Sequence, residues 1–219
     1  MIRNLGGQMN KTCLFNISGW ISIVVSLGLT FFLSPSAIAA MPPQSSFDHI
    51  EHSFHLPPKA LPIQTIVQKL RHADTFLVGS RGPELTAFMD PNCIWCHRLY
   101  EKAMPLVRAG KLHLRVALVG FLKPTSAAKA AAILAARHPA QALAFNESHF
   151  NVIAEEGGIR PDYHAPLSIH RAVSDNTHLL AQTGEEATPT LLYYTKAKRW
   201  HLQHGLGLHG LHNILATIA

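Results

Sequence analysis

Apolar residues along this chain change period several times, and each change marks an element. From Leu61, "LPIQTIVQKLRHA" places Ile63, Ile66, Val67 and Leu70 at helical spacing, which predicts a short amphipathic helix over 61–73. "TFLVGS" and, after the turn "RGP", "ELTAFMD" predict two strands. The apolar period then lengthens again: Leu99, Ala103, Leu106 and Val107 share one face, and Gly110 stands where a helix stops. "HLRVALVGFL" is nearly continuous in apolar residues, the pattern of a strand buried on both faces. Strand, helix and strand at this spacing predict a parallel βαβ unit.

Helices dominate the next sixty residues. "PTSAAKAAAILAARH" is Ala-rich behind Pro124 and Ser126, and "QALAFNESHFNVIAEEGG" predicts a second helix closed by Gly157 and Gly158. "SIHRAVSDNTHLLAQTG" sets Ile169, Val173 and Leu180 on one face and ends at Gly184. "TPTLLYYT" and "RWHLQH" flank a polar turn, Lys196 to Lys198, and predict an antiparallel hairpin. Leu208, Leu211, Leu215 and Ile218 predict a last helix. The order β, β-α-β, helical block, β-β-α describes an α/β layer with a helical insertion over about 123–184.

The first forty residues carry an address rather than a fold. Arg3 and Lys11 precede "CLFNISGWISIVVSLGLTFFL", and "SPSAIAA" follows, in which Ala37-Ile38-Ala39 fits signal-peptide cleavage; residues 1–39 are read as that segment. The apolar stretch around Trp20 to Leu33 also fits an uncleaved anchor, and Met9 is an alternative start. Both readings export the rest. Residues 40–60, rich in Pro, Ser and His, read as a linker or disordered arm, and 74–219 as the main folded domain.

Composition adds only limits. The chain has 219 residues, 47% hydrophobic and 15% charged, which suits one packed domain. Without Arg3 and Lys11, 17 basic residues face 13 acidic ones, too few and too scattered for a nucleic-acid partner.

Export gives the cysteines their meaning. Cys13 leaves with the signal peptide, so Cys93 and Cys96 in "MDPNCIWCHR" remain. A loop this small constrains the unfolded chain little, so the pair is a poor staple and a better reactive centre. Cys-x-x-Cys-His is also the attachment signature of a c-type haem, and Cys-x-x-Cys is half of many zinc sites. Zinc lacks a second cysteine pair and would need histidines such as His97 or His204. Haem conflicts with the strand leading into the motif and the βαβ unit around it. A dithiol fits both: Cys93 opens a helix, whose free N–H groups and dipole stabilise a thiolate, and Cys96 lies one turn further in. Cys93 then attacks and Cys96 resolves. Asn92 is a candidate helix cap and His97 a candidate modulator of the thiolate, or else an ordinary surface histidine. Thr188-Pro189 stands at the start of a strand, where proline's missing N–H is tolerable.

The motifs "AFMDPNCIWCH", "VRAGKLHLRVALVGFLKPTSAAKAAAILAA" and "SDNTHLLAQTGEEATPTLLYY" together resemble the bacterial periplasmic disulfide isomerase and reductase family of the DsbC and DsbG type, DsbG above all, from about His72 onward. The resemblance implies a thioredoxin fold with an inserted helical subdomain, with Thr188-Pro189 as a cis-proline loop facing the cysteines and binding the extended backbone of a client. It also implies misfolded or oxidised exported proteins as clients, sulfenic acids among the groups reduced, and a membrane reductant of the DsbD type. The expected cofactor set is empty, the dithiol being the redox centre, and no metal is expected. Two departures stand out. Ile94-Trp95 replaces the family's small residue or proline followed by tyrosine, so the redox potential does not carry over; an apolar contact from Trp95 to unfolded clients is expected instead. Only about twenty residues precede the linker helix where the family has a dimerisation domain, so a monomer or weak dimer is expected. The rival of another class is a thioredoxin-like chaperone or assembly factor in the envelope.

His49, His52, His55, His204, His209 and His212 are read as exposed rather than metal-binding, and Glu84, Arg98 and Lys102 as solvated.

Overall fold

The computed structural model describes residues 59–207 and 210–219. The signal segment and most of the arm, with Cys13, His49, His52 and His55, lie outside the described residues, as do Leu208 and His209. Among the described residues no helix is long and apolar enough to cross a membrane.

Among the described residues eleven elements follow one another: α1 (Ile63–Leu70), β1 (Thr75–Val78), β2 (Glu84–Met89), α2 (Ile94–Arg108), β3 (His113–Leu118), α3 (Ser126–Leu134), α4 (Pro139–Ser148), α5 (Leu167–Ala181), β4 (Thr190–Tyr194), β5 (Trp200–His204) and α6 (Leu211–Thr217). The five strands form one sheet in the order β1-β3-β2-β4-β5. β2 and β3 run parallel, with Leu85 opposite Leu114 and Met89 opposite Leu118, and the other pairs are antiparallel. The predicted βαβ unit and hairpin are therefore present, and the fold is α/β of thioredoxin type.

Strand alternation sorts the core into two layers. Leu85, Ala87 and Met89 of β2 join Leu114, Val116 and Leu118 of β3 against Leu99 and Ala103 of α2. On the other face Phe88, Ala117 and Leu192 pack with Ile66 and Val67 of α1 and Leu179 and Leu180 of α5. Each of the larger ones among these, Val, Leu, Ile, Met or Phe, contributes about 1.5–3 kcal/mol by leaving water. Gly110, at φ +67°, takes the left-handed turn that ends α2, a conformation costly for any residue with a Cβ.

Three expectations are corrected. The second insertion helix does not reach Gly157: α4 ends at Ser148, and Asn151 and Glu156 pair as an antiparallel bridge closing a turn. Past that end the Asn151 Oδ1 accepts from the N–H groups of Ile153 and Ala154, which holds the following backbone in a turn in place of a continuing helix. β3 is not buried throughout, for His113 and Arg115 are only partly covered. Glu84 is not simply solvated: Arg115 grips it through two nitrogens, each at 2.9 Å, and His113 lies 3.3 Å away. Those bonds hold the Glu84 carboxyl below its ordinary pKa despite the opposing effect of burial, the largest single influence.

Candidate functional site

The cysteine motif sits where β2 ends and α2 begins. Cys93 is the N-cap residue of α2, in extended conformation, and its Sγ accepts a hydrogen bond from the Cys96 N–H at 3.3 Å. Sulfur thus takes the place that a Ser or Asp oxygen fills in most caps, directly in the field of the helix N-terminus. Asn92, expected to be the cap, is turned elsewhere.

Across from the motif lies the loop before β4. The Thr188–Pro189 bond is cis, and the Cys93 thiol donates to the Thr188 carbonyl at 3.3 Å, so residues 95 positions apart form one site. The Thr188 hydroxyl oxygen is buried and has no hydrogen-bond partner among the described residues, which leaves it free to donate to a thiolate. Trp95 projects into solvent, 62% exposed, beside a half-covered Ile94.

The two cysteines differ in kind. The hydrogen bond with the Cys96 thiol is the strongest influence on Cys93, and with Thr188 and the backbone N–H groups of Cys96 and Trp95 it outweighs burial and brings the pKa down to about 7. Cys96 has no exposed surface; burial first, then the neighbouring Cys93, pushes its thiol well above the usual range. Both are free cysteines. Cys93 itself keeps only 4% of its surface, a narrower opening than an exposed thiolate implies.

The loop bearing the motif is clamped by the inserted helices. Asp90 accepts from Asn92 N–H (2.9 Å) and the Ser126 hydroxyl (2.7 Å) on one oxygen, and from the N–H groups of Phe121 (2.9 Å) and Leu122 (3.1 Å) on the other. The Asn92 amide donates to Thr125 and Ser126 and accepts from Gly157 N–H and Lys129 Nζ. Lys129, almost fully buried, also donates to Glu156 at 2.9 Å and to the Gly157 carbonyl at 2.7 Å. Asn146 donates to the Pro91 carbonyl. Gly157 is a glycine for want of room: a Cβ there would run into the Pro91 carbonyl and the Asn146 amide.

His97 is not a surface histidine. It is buried, stacked on Phe150 with ring centroids 4.5 Å apart, and its Nδ1 lies 3.0 Å from Glu147 Oε2. Glu147 is itself buried, and that burial pushes its carboxyl up to about 7 although His97 and Asn146 bind it. Nothing in the sequence singled out Glu147 or Lys129, since a charged residue in an Ala-rich helix has the look of a solvated one. His204, weighed as a zinc ligand, instead bonds the Thr190 hydroxyl at 2.9 Å. A haem thioether at Cys96 conflicts with the complete burial of that sulfur.

No family model matches the chain. Its sheet and helices superpose on the crystal structure of Proteus mirabilis ScsC in a compact conformation with a TM-score of 0.52 over 67% of this chain and 74% of that one, at 14% identity. The class is thus a thioredoxin-fold protein with a Cys-x-x-Cys pair at a helix start. Curated relatives narrow it. The chain is 34% identical over 118 residues to the thiol:disulfide interchange protein DsbG of Pseudomonas aeruginosa, a stretch covering 54% of this chain and 44% of that one. It is 28% identical over 203 residues to the protein of the same name from Escherichia coli, covering 88% and 77%. Over these stretches the chain is similar to two proteins named DsbG, on a thioredoxin-type fold. The match spans less than half the length of the Pseudomonas relative.

Proposed function

We propose that this chain is an exported thiol-disulfide oxidoreductase of the periplasm, reducing or isomerising disulfides of exported proteins, or reducing their sulfenic acids, through Cys93 and Cys96. The observation that carries this reading is the asymmetry of the pair: a thiol brought down to about 7 at a helix N-cap, beside a buried thiol pushed far up. Near neutral pH about half of Cys93 is then thiolate and Cys96 keeps its proton.

The chemistry follows. The Cys93 thiolate attacks one sulfur of a client disulfide, forming a mixed disulfide and expelling the other client sulfur as a thiolate. In reduction, Cys96 loses its proton and attacks Cys93 Sγ, which releases the second client thiol and leaves the Cys93–Cys96 disulfide. In isomerisation, a client thiolate attacks the mixed disulfide instead and returns Cys93 unchanged in redox state. With a sulfenic acid, the thiolate displaces hydroxide, which leaves as water after taking a proton. Thr188 and Pro189 hold the client backbone, with Ile94 and Trp95 at the rim. A membrane reductant of the DsbD type, chosen on the family resemblance, supplies the two electrons that restore the dithiol.

Two measurements test this. Cys96→Ala should accumulate mixed disulfides with protein clients, and Cys93→Ala should not; equal trapping by both overturns the assigned roles. Iodoacetamide should modify native Cys93 with a rate rising to half its plateau near pH 7 while Cys96 stays unmodified.

A further inference from the structure

The proposed exchange leaves one buried acid unused. Glu147, 4% exposed, binds His97 through Oε2 at 3.0 Å and accepts from Asn146 through Oε1 at 3.1 Å. His97 directly follows Cys96, and its stacking on Phe150 fixes the ring. The other ring nitrogen lies 3.6 Å from the half-exposed Glu101. An open cleft lined by His97, Tyr100, Glu101, Arg108, Glu147 and Phe150 brings solvent to this pair. The acid is buried, yet its protons have a way in and out that bypasses the client side of Cys93.

We propose that Glu147 is the proton-linked partner of the dithiol, taking up a proton through this cleft when the disulfide is reduced and releasing it when the disulfide re-forms. The physical reason is charge. The reduced pair holds a thiolate at Cys93, and a carboxylate in the same poorly solvated region repels it; the disulfide carries no charge and lets Glu147 ionise. A partner dithiol gives two electrons and becomes a disulfide. The Cys93–Cys96 bond breaks, Cys96 takes one proton, Cys93 remains a thiolate, and Glu147 takes a second proton from solvent.

The surroundings agree. α2 faces Glu147 with Cys96, His97, Tyr100, Glu101 and Arg108; β1 contributes no titratable group, and Lys129 of α3 is engaged by Asn92, Glu156 and Gly157. The carboxyl is pushed up to about 7, first by burial and in part by the Cys93 thiolate, while its own charge adds to the rise at Cys96 and Tyr100. Glu147 tunes the site and does not touch the reacting sulfurs, so its test must read electrostatics.

The inference rests on Cys93 and Cys96 being a disulfide-exchange pair. The experiment equilibrates the full chain with glutathione buffers between pH 6 and pH 8.5, followed by acid quench, alkylation of thiols and mass measurement. Glu147→Gln keeps an oxygen for His97 but no charge. Relative to wild type it should favour the dithiol about three- to tenfold at pH 8 and less than about twofold at pH 6, where Glu147 is already protonated. His97→Gln weakens the bond that favours the carboxylate, so the pH at which wild type and Glu147→Gln diverge should move upward in its background. A Glu147→Gln effect of equal size at every pH, or no shift with His97→Gln, overturns the inference and leaves the exchange reading standing. Failure of the wild-type pair to form a disulfide at any glutathione ratio overturns both.

Discussion

The sheet frame and the inserted helices hold the same loop by opposite means. The frame, from β1 to β3 with β4 and β5, positions Cys93 through aliphatic packing: Met89, Leu118 and Leu99 pack where β2 ends and α2 starts. The insertion holds the next few residues with buried polar atoms, namely Ser126, Lys129, Asn146 and Gly157 on Asp90, Pro91 and Asn92. Apolar packing tolerates small adjustments and carries little directional information, while a buried hydrogen-bond set fixes geometry and is costly to leave incomplete. Frame packing away from the loop is thus expected to act on stability alone, and the polar contacts with the insertion to set the site as well.

Breaking one contact of each kind separates the two. Asp90→Ala strips the acceptor from three backbone N–H groups and the Ser126 hydroxyl, and is expected to cost roughly 3–6 kcal/mol by urea unfolding. Its exchange rate should fall even where the protein remains folded, because the loop carrying Cys93 loses its register. Leu114→Ala opens a cavity at the start of β3, opposite Leu85 and away from the Cys93 end of β2, and should cost about 2–4 kcal/mol. Below its melting range its exchange rate and the Cys93 titration should match wild type. A Leu114 variant that loses activity while folded would falsify the division of labour.

The same division explains what the sequence discloses. Periodicity reports which residues face an apolar core, so α1, the βαβ unit and the β4–β5 hairpin are legible from their spacing alone, and the helix start at Cys93 comes with them. Polar burial has no period. Asn92 has the composition of a cap, but Cys93 occupies that position and the Asn92 amide reaches the insertion. Lys129 and Glu147 are charged residues on helices, and only the tertiary fold shows that one donates to the Gly157 carbonyl and the Asn92 amide oxygen and the other faces a histidine next to Cys96. The premature end of α4 was open to reading, since Asn151 directly before the β-branched pair Val152-Ile153 is a turn former, yet the apolar residues around it mimic a continuing helix.

The smallest expected effect on stability sharpens the comparison at the rim, where neither frame nor insertion holds the side chain. Trp95 is 62% exposed, so Trp95→Ala should shift unfolding by no more than about 0.5 kcal/mol. Its backbone N–H, which helps stabilise the Cys93 thiolate, survives the substitution, so the midpoint of Cys93 alkylation should stay near pH 7. What the variant loses is apolar area facing the client. Oxidised glutathione has little apolar surface to offer and should react at the wild-type rate. An unfolded protein disulfide should react about two- to tenfold more slowly, the equivalent of an aromatic contact worth about 0.5–1.5 kcal/mol. Equal slowing on both substrates would mean that Trp95 acts on the thiolate itself, and would move this residue from client contact into the electrostatics of the cysteine pair.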